Sequence, residues 1–480
     1  MKKVFRVNIG MKRRKRGGRH IGMFFVAVIV VASFISGCST GNTTASDTVV
    51  LRVANMEEYI DLGRWDEEIE LSDGTVITSE NGLIADFEDW YEKTYDQPIR
   101  VEYAAVGTNE ELYNLMSLGN TFDVVCPSEY MIMKLIEEDR LAPISEDFFD
   151  TDVEENYYAK GVSPFITEAF CDLAVDGDPI SRYAAGYMWG TMGTVYNPQV
   201  VDEKDTVHWS VLCNPKYYRQ VTMKDSVRDS LFVALCVLNE KEYLAKDFLK
   251  SPDYFERLSD MQNDTSQTTL DKVERVLSDM RRNSYEMETD SGRADMVSEK
   301  VFASMQWSGD AVYVMDVADE EDIELHYAVP EEATNLWFDG WVMMKNGLAE
   351  DARKQHAAQA FMNFISRPDN VIRNMYYIGY TPVIAGGASD EVFEYLKYCY
   401  EAEDEEDAVE YDLSYFFGED HVVMTTPDQL TRQLYAQYPT KDVIERAVVM
   451  RCFDEKARKR VGQMWINVRC FELPSAAKNN

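Results

Sequence analysis

Residues 48–54 read Thr-Val-Val-Leu-Arg-Val-Ala, and residues 122–127 read Phe-Asp-Val-Val-Cys-Pro. Both are short and rich in β-branched residues, the composition of strands. What lies between them decides the fold. Over residues 82–94, Leu83, Phe87, Trp90 and Thr94 recur at helical spacing. Residues 99–104 predict a second strand. Thr108, with Glu111 three positions on, forms a capping box for a helix through Leu118. Residues 122–126 are then a third strand closed by Pro127, and another helix follows near 131–138. Strand, helix, strand, helix, strand in this order argues for an α/β fold with a parallel sheet. Such sheets bind ligands in loops beyond the carboxyl ends of their strands, here residues 55–59 and 127–130.

The rest of the chain continues in this manner. Residues 195–197 end a strand, and Ser226 with Asp229 caps a helix running to Leu238. Residues 302–306 predict a strand ending at Trp307, and residues 336–344 are aromatic and strand-like. Residues 352–366 predict a helix with Ala357, Ala360, Phe361, Phe364 and Ile365 inward and Pro368 as its stop. Residues 454–468 are amphipathic, with Val461, Trp465 and Val468 on one face. Before the first helix, residues 69–71, a Ser72-Asp73-Gly74-Thr75 turn and residues 76–78 give a hairpin signal. Residues 401–412 are acidic and read as a solvated loop or helix face. Asp319-Glu320-Glu321-Asp322 lacks the alternating ligands and glycine of a calcium loop and reads as a solvated charge run.

The amino-terminal end is of another kind. Lys12-Arg13-Arg14-Lys15-Arg16 precedes an apolar run of 15 residues over 21–35. That run is short of the roughly 20 residues of a membrane-spanning helix and suits a signal-peptide core. It ends in Ile35-Ser36-Gly37-Cys38, which resembles the bacterial lipoprotein signal. The expectation is that residues 1–37 are a signal peptide, that Cys38 takes a lipid, and that residues 38–48 are a small, polar tether. Met11 is an alternative start.

The chain has 48 Lys and Arg against 85 Asp and Glu, a net charge of −37. Nine of the basic residues and none of the acids precede Cys38, so the remainder is more acidic still. Nucleic acid is excluded as a partner, because phosphate binding needs clustered basic residues. A cationic ligand would be attracted by this field, although solubility alone would also account for it. The 442 residues after Cys38 are too many for one ordinary core and suit two lobes or more. Cys126, Cys171, Cys213, Cys236, Cys399, Cys452 and Cys470 are odd in number and contain no CxxC pair, so neither a metal cage nor a redox motif is indicated. Most have apolar neighbours and read as buried thiols. There is no nucleophile elbow, phosphate loop or zinc motif. His20, His208, His326, His356 and His421 are dispersed. No enzymatic activity and no cofactor or metal is expected.

One constellation does carry chemistry. Aromatic and acidic residues are neighbours at several predicted strand ends: Tyr59 beside Glu57 and Glu58, Trp307 three residues before Asp310, and Trp337 two before Asp339. Asp225 and Asp229 open a helix, and Tyr380 follows Gly379 in a turn. A diamine or polyamine needs this mixture: carboxylates for its ammonium ends once they leave water, and apolar or aromatic walls for its methylenes. A cation over an indole or phenol face adds roughly 0.5–2 kcal/mol. Each residue also has a plain structural reading, as core aromatic or as helix-capping acid.

The chain resembles the bacterial spermidine/putrescine-binding proteins of polyamine ABC transporters from about residue 50 to 385. The resemblance rests on Asn55-Met56-Glu57-Glu58-Tyr59, Thr108-Asn109-Glu110-Glu111-Leu112-Tyr113, residues 122–130, Asp225-Ser226-Val227-Arg228-Asp229, Gln306-Trp307-Ser308-Gly309-Asp310, Trp337-Phe338-Asp339 and Gly379-Tyr380-Thr381-Pro382. It implies a two-lobed fold of the type 2 periplasmic-binding class with the ligand cleft between the lobes. The first lobe would be residues 49–189 with a return at 337–385, and the second lobe residues 190–336 and 386–480. It implies that Ser128 and Tyr130 line the cleft, that Trp307, Trp337, Tyr59 and Tyr380 hold the alkyl chain, and that Asp339 grips one ammonium and Asp229, with Asp225, another. Asp310 matches an acid of putrescine-type members. The implied function is extracytoplasmic capture of putrescine or spermidine for a permease, by a monomer anchored to the outer face of the membrane, or in the periplasm where there are two membranes. Another small cationic or amino-acid-like solute is the alternative ligand. The pattern departs at Met56, where the family usually has tryptophan, and at Glu57, which adds a carboxylate. Residues 61–80 and 401–412 read as insertions, to border the cleft, contact the permease, or do neither.

Overall fold

The computed structural model describes residues 48–65, 68–289, 291–386, 390–404 and 407–470. The expected signal segment, Cys38, His20 and nearly all of the expected tether lie outside them.

The strand Val49–Met56 runs two residues beyond its expected end, carrying Asn55 and Met56 to the sheet's edge. Ile99–Val106 and Val124–Val125 flank it, both parallel. The helices Leu83–Tyr95 and Asn109–Ser117 make these crossovers. The first buries Leu83, Phe87 and Tyr91, an i, i+4, i+8 row. Tyr91 takes the place expected of Trp90, which is half-buried, and Thr94 is exposed. The capping box forms: the Glu111 amide donates to Thr108 Oγ1 (3.1 Å), and the Glu111 carboxylate accepts from the Gly107 amide (2.8 Å).

Two long strands, Ala184–Tyr196 and Thr334–Met344, are buried at every residue. They pair antiparallel and run from one hydrophobic core into the other. Trp189 and Trp337 belong to the first core, while Met192 and Ala333 belong to the second. In the second lobe Val221–Lys224 lies parallel to Glu286–Glu288 and Ala303–Trp307, and the latter pairs antiparallel with Ala184–Tyr196. The sheet is therefore mixed rather than parallel, because the two crossing strands run antiparallel to each other, to Ala303–Trp307 and to Val124–Val125. The helix Val227–Tyr243 begins at Ser226 and buries Leu231, Phe232 and Leu235 in the second core. A third, smaller core gathers Val312, Met315 and Tyr327.

Other expectations are corrected or extended. Residues 386–480 do not pack as one part of the second lobe. Helix Glu391–Tyr400 and the hairpin of Val409–Asp412 with Val422–Thr425 bury Leu396, Tyr411 and Val423 in the first core. The chain returns to the second lobe in steps: Ala436 and Val443 join the third core, Ala447–Val448 pairs with Thr334 and Asn335, and helix Glu455–Cys470 buries Val461, Met464 and Val468 in the second core. Within the acidic run Asp319 is half-buried and takes both oxygens of its carboxylate to the buried Arg432 guanidinium (2.5 and 2.6 Å), while Glu320, Glu321 and Asp322 are exposed as expected. Pro368 does more than end a helix, since it opens the next, Pro368–Ile378, at a position with no amide hydrogen to satisfy. The seven described cysteines are free thiols, and only Cys126 and Cys236 are buried.

Candidate functional site

A cavity of about 1090 Å³ opens where the carboxyl ends of these strands meet the crossing strands. All twelve residues singled out from the sequence line it: Glu57, Glu58, Tyr59, Ser128, Tyr130, Asp225, Asp229, Trp307, Asp310, Trp337, Asp339 and Tyr380. They divide into groups of different chemical character.

Asp339 lies where the pairing of the crossing strands shifts register. Phe338 stands opposite Trp189 and Gly340 opposite Gly186, so Tyr187 and Met188 together face Asp339. A bulge of this kind re-aims a side chain, and Asp339 bridges to Ser128 instead of to its neighbouring strand. The Tyr59 hydroxyl donates to Asp339 Oδ2 at 2.6 Å. Tyr59 is itself held edge-on between Tyr187 and Tyr380, with ring centroids 5.3 and 4.9 Å away. Tyr380 in turn packs on Trp337 at 5.8 Å. Two glycines make room for these rings: a Cβ at Gly309 would sit 2.2 Å from the Tyr380 ring, and one at Gly190 2.6 Å from that of Trp337. Gly379 caps helix Pro368–Ile378 in the left-handed region (φ 80°), so the chain turns and delivers Tyr380 to the cavity.

Burial pushes the Asp339 carboxyl up to about 6, against the opposing bonds from Tyr59 and Ser128. Asp229, in the first turn of Val227–Tyr243, is likewise raised by burial, with bonds from Ser226 and Trp307 acting the other way. Among the described residues no lysine, arginine or histidine nitrogen lies within 4.0 Å of either carboxylate. These two acids are desolvated and have no protein cation in contact, although the Lys224 charge acts on Asp229 from farther away.

The opposite wall is different. Lys224, at the end of its strand, is buried and ion-paired with Glu288 (3.3 Å) and Asp310 (3.2 Å). Its ammonium also donates to the Thr289 carbonyl (2.7 Å) and lies 4.4 Å from the Trp307 ring centroid. Burial alone would raise the Asp310 carboxyl, yet Lys224, Arg293 and the Tyr380 hydroxyl (2.9 Å) hold it below the usual range. Asp225 pairs with Arg469 (2.9 Å) and Glu58 with Arg293 (3.1 Å). Glu57 and Glu58 are at the exposed rim. Met56, where an aromatic wall was expected, is half-buried and also lines the cavity.

Sequence reading missed several lining groups. Glu129 is fully buried; its Oε2 accepts from the Phe338 amide (3.0 Å), its Oε1 has no partner, and burial pushes it up to about 8. Arg228 stacks on Tyr130 (4.5 Å) and Phe453 (3.8 Å) and donates to the Arg451 carbonyl (2.7 Å). Both sit inside quoted motifs, next to Ser128 and Asp229. Lys224 and Arg293 were passed over because the search was for acids and aromatics. Of the presumed insertions, Leu62–Trp65 border the cavity, with Trp65 against Tyr376 at 4.4 Å. The described residues of the acidic stretch 401–412 are not among the lining residues.

The arrangement fits what the chain is similar to. The profile of the bacterial extracellular solute-binding proteins matches residues 82–397. A putrescine-binding periplasmic protein of Escherichia coli is 23% identical over 357 residues, covering 71% of this chain and 80% of that protein. One from Pseudomonas aeruginosa is 23% identical over 354 residues, with the same coverage. Among solved structures, the spermidine/putrescine ABC transporter substrate-binding protein of Streptococcus pneumoniae superposes with a TM-score of 0.56 at 23% identity, over 88% of this chain and 100% of that one. A putative spermidine/putrescine ABC transporter protein of Listeria monocytogenes gives 0.59 at 20% identity, over 88% and 99%. These likenesses establish the two-lobed periplasmic-binding fold.

Proposed function

Because the chain belongs to the bacterial extracellular solute-binding proteins, we propose that it captures a small aliphatic amine outside the cytoplasm and delivers it to the permease of an ABC transporter. Putrescine and spermidine are the candidates that the similar proteins suggest, and the protein would act as a monomer held to the membrane by a lipid on Cys38. The observation that carries this reading is the pair of buried carboxylates, Asp339 and Asp229, which face one cavity without a protein cation. A desolvated carboxylate is costly until a counter-charge arrives, and an ammonium provides one. Tyr59, Trp337 and Tyr380 supply the aromatic walls for its methylenes. The putrescine-binding relatives support the same ligand class.

Titration calorimetry of the purified protein with putrescine, spermidine and butan-1-amine tests the capture step. Saturable heat from at least one amine is expected, and no heat from any of them at millimolar concentration would refute it. The anchor predicts lipid label in the wild-type protein and none in Cys38→Ala. Deleting the gene should lower uptake of the bound amine by the parent cells. A second reading, an amino-acid-like solute, is favoured by Arg228, a buried guanidinium on the same cavity.

A further inference from the structure

On the reading that this cavity holds an amine, the geometry points to a ligand with a single ammonium end, because Lys224 supplies the second ammonium from within the protein.

The Lys224 side chain is 1% exposed, and its ammonium has a full set of acceptors. It reaches the Thr289 carbonyl (2.7 Å), Asp310 Oδ2 (3.2 Å) and Glu288 Oε1 (3.3 Å), beneath the Trp307 indole at 4.4 Å. Two carboxylates, a carbonyl and an aromatic face are what a desolvated ligand ammonium would ask for. Here the strand Val221–Lys224 delivers a tethered one to that place. Asp310 also accepts from Tyr380 (2.9 Å) and has Arg293 at 3.9 Å, so little of its charge is left for a visitor. Asp225 pairs with Arg469 (2.9 Å).

What remains without a protein cation within 4.0 Å is the end with Asp339, Asp229 and Glu129, beside Tyr59 and Trp337. A ligand extending from there towards Trp307 meets a protein cation. Its far end is therefore neutral or anionic, as in a simple primary amine or an amino acid with a terminal ammonium. A diamine fits only by leaving its second charge in water at the rim. This departs from what the resemblance implies, one ammonium at Asp339 and another at Asp229 with Asp225.

The test is a matched set of four-carbon ligands, namely butan-1-amine, 4-aminobutanoate and putrescine, titrated into wild-type protein and into Lys224→Ala by calorimetry. In the wild type, putrescine should bind less than tenfold more tightly than the better of the other two. Lys224→Ala vacates the subsite, leaving Asp310 and Glu288 to a ligand, so the putrescine advantage should grow at least tenfold. A wild-type preference for putrescine of tenfold or more overturns the inference. So does a folded Lys224→Ala whose preference grows by less than tenfold. Should that variant not fold, Lys224→Gln replaces it, and the wild-type order decides in any case. Binding of none of the three ligands by any of the proteins would instead defeat the amine-capture reading.

Discussion

Replacing Asp339 by asparagine should stabilise the unliganded protein while weakening its hold on an amine. The carboxyl is fully buried, and burial moves it from 3.8 to about 6. At about 1.4 kcal/mol per pH unit, its ionisation costs the fold about 3 kcal/mol at neutral pH. The sign follows from proton counting. Between roughly pH 4 and 6 the folded state holds a proton that the unfolded state has lost, so stability falls as pH rises through that window and stays low above it. Asparagine removes this cost, keeps an oxygen for the Tyr59 hydroxyl, and aims an N–H group at the cavity. Urea unfolding should show Asp339→Asn up to about 3 kcal/mol more stable than wild type near pH 7.5, with the gap closing near pH 4. Calorimetry should show amine affinity at least about tenfold weaker, since losing one partner of a buried charge pair typically costs about 2–5 kcal/mol. A variant that is less stable at neutral pH and binds amines as before would refute both the assigned role and the electrostatics behind it.

Other changes have definite outcomes. Amine affinity should fall about tenfold between roughly pH 7 and pH 5, because the Asp339 carboxyl must shed its proton to pair and its midpoint is about 6; calorimetry across that range checks it. Gly309→Ala should destabilise the fold by about 1–3 kcal/mol and weaken amine binding, since its Cβ would meet the Tyr380 ring at 2.2 Å; thermal melts and titration read the two effects. Arg373→Met should cost about 3–5 kcal/mol in denaturant unfolding. Arg373 is buried and bonded to Asp61 (2.9 Å), Asp86 (2.7 Å), Ser79 (2.8 Å) and the Asn81 carbonyl (2.6 Å), so it fastens the segment before the first helix.

What the sequence discloses and what it withholds divide along the range of the interactions. The capping box at Thr108 and Glu111 and the strand at Val49–Met56 are local, and both form where propensity and spacing place them. The aromatic and acidic residues were found because each pair sits within a few positions of a strand end, and the topology gathers those ends. Lys224 was invisible for the opposite reason. Its acceptors come from Glu288, Thr289 and Asp310, on segments far along the chain, and nothing near Lys224 announces them. A buried salt bridge leaves no periodicity. The late return of the chain to the second lobe was equally hidden, since it is made by short pieces, the five-residue helix Gln433–Gln437 and the two residues Ala447–Val448, too few to show a periodicity. Tyr91 displaced Trp90 from the buried row because the helix's inner face follows the i+4 step and Phe361 and Phe364 fill the space beside it.

The two crossing strands bear on how the chain is made as well as on what it holds. The first core contains Val49 and Ala447 alike, and its middle is the pairing of Ala184–Tyr196 with Thr334–Met344. A nascent chain that has reached residue 300 owns half of that pairing and cannot close the core. Such distant partners impose a high contact order and slow, late consolidation. Both cores need residues from the far end of the chain, Ala447 in the first and Val468 in the second, so neither lobe can complete its core until synthesis is nearly finished.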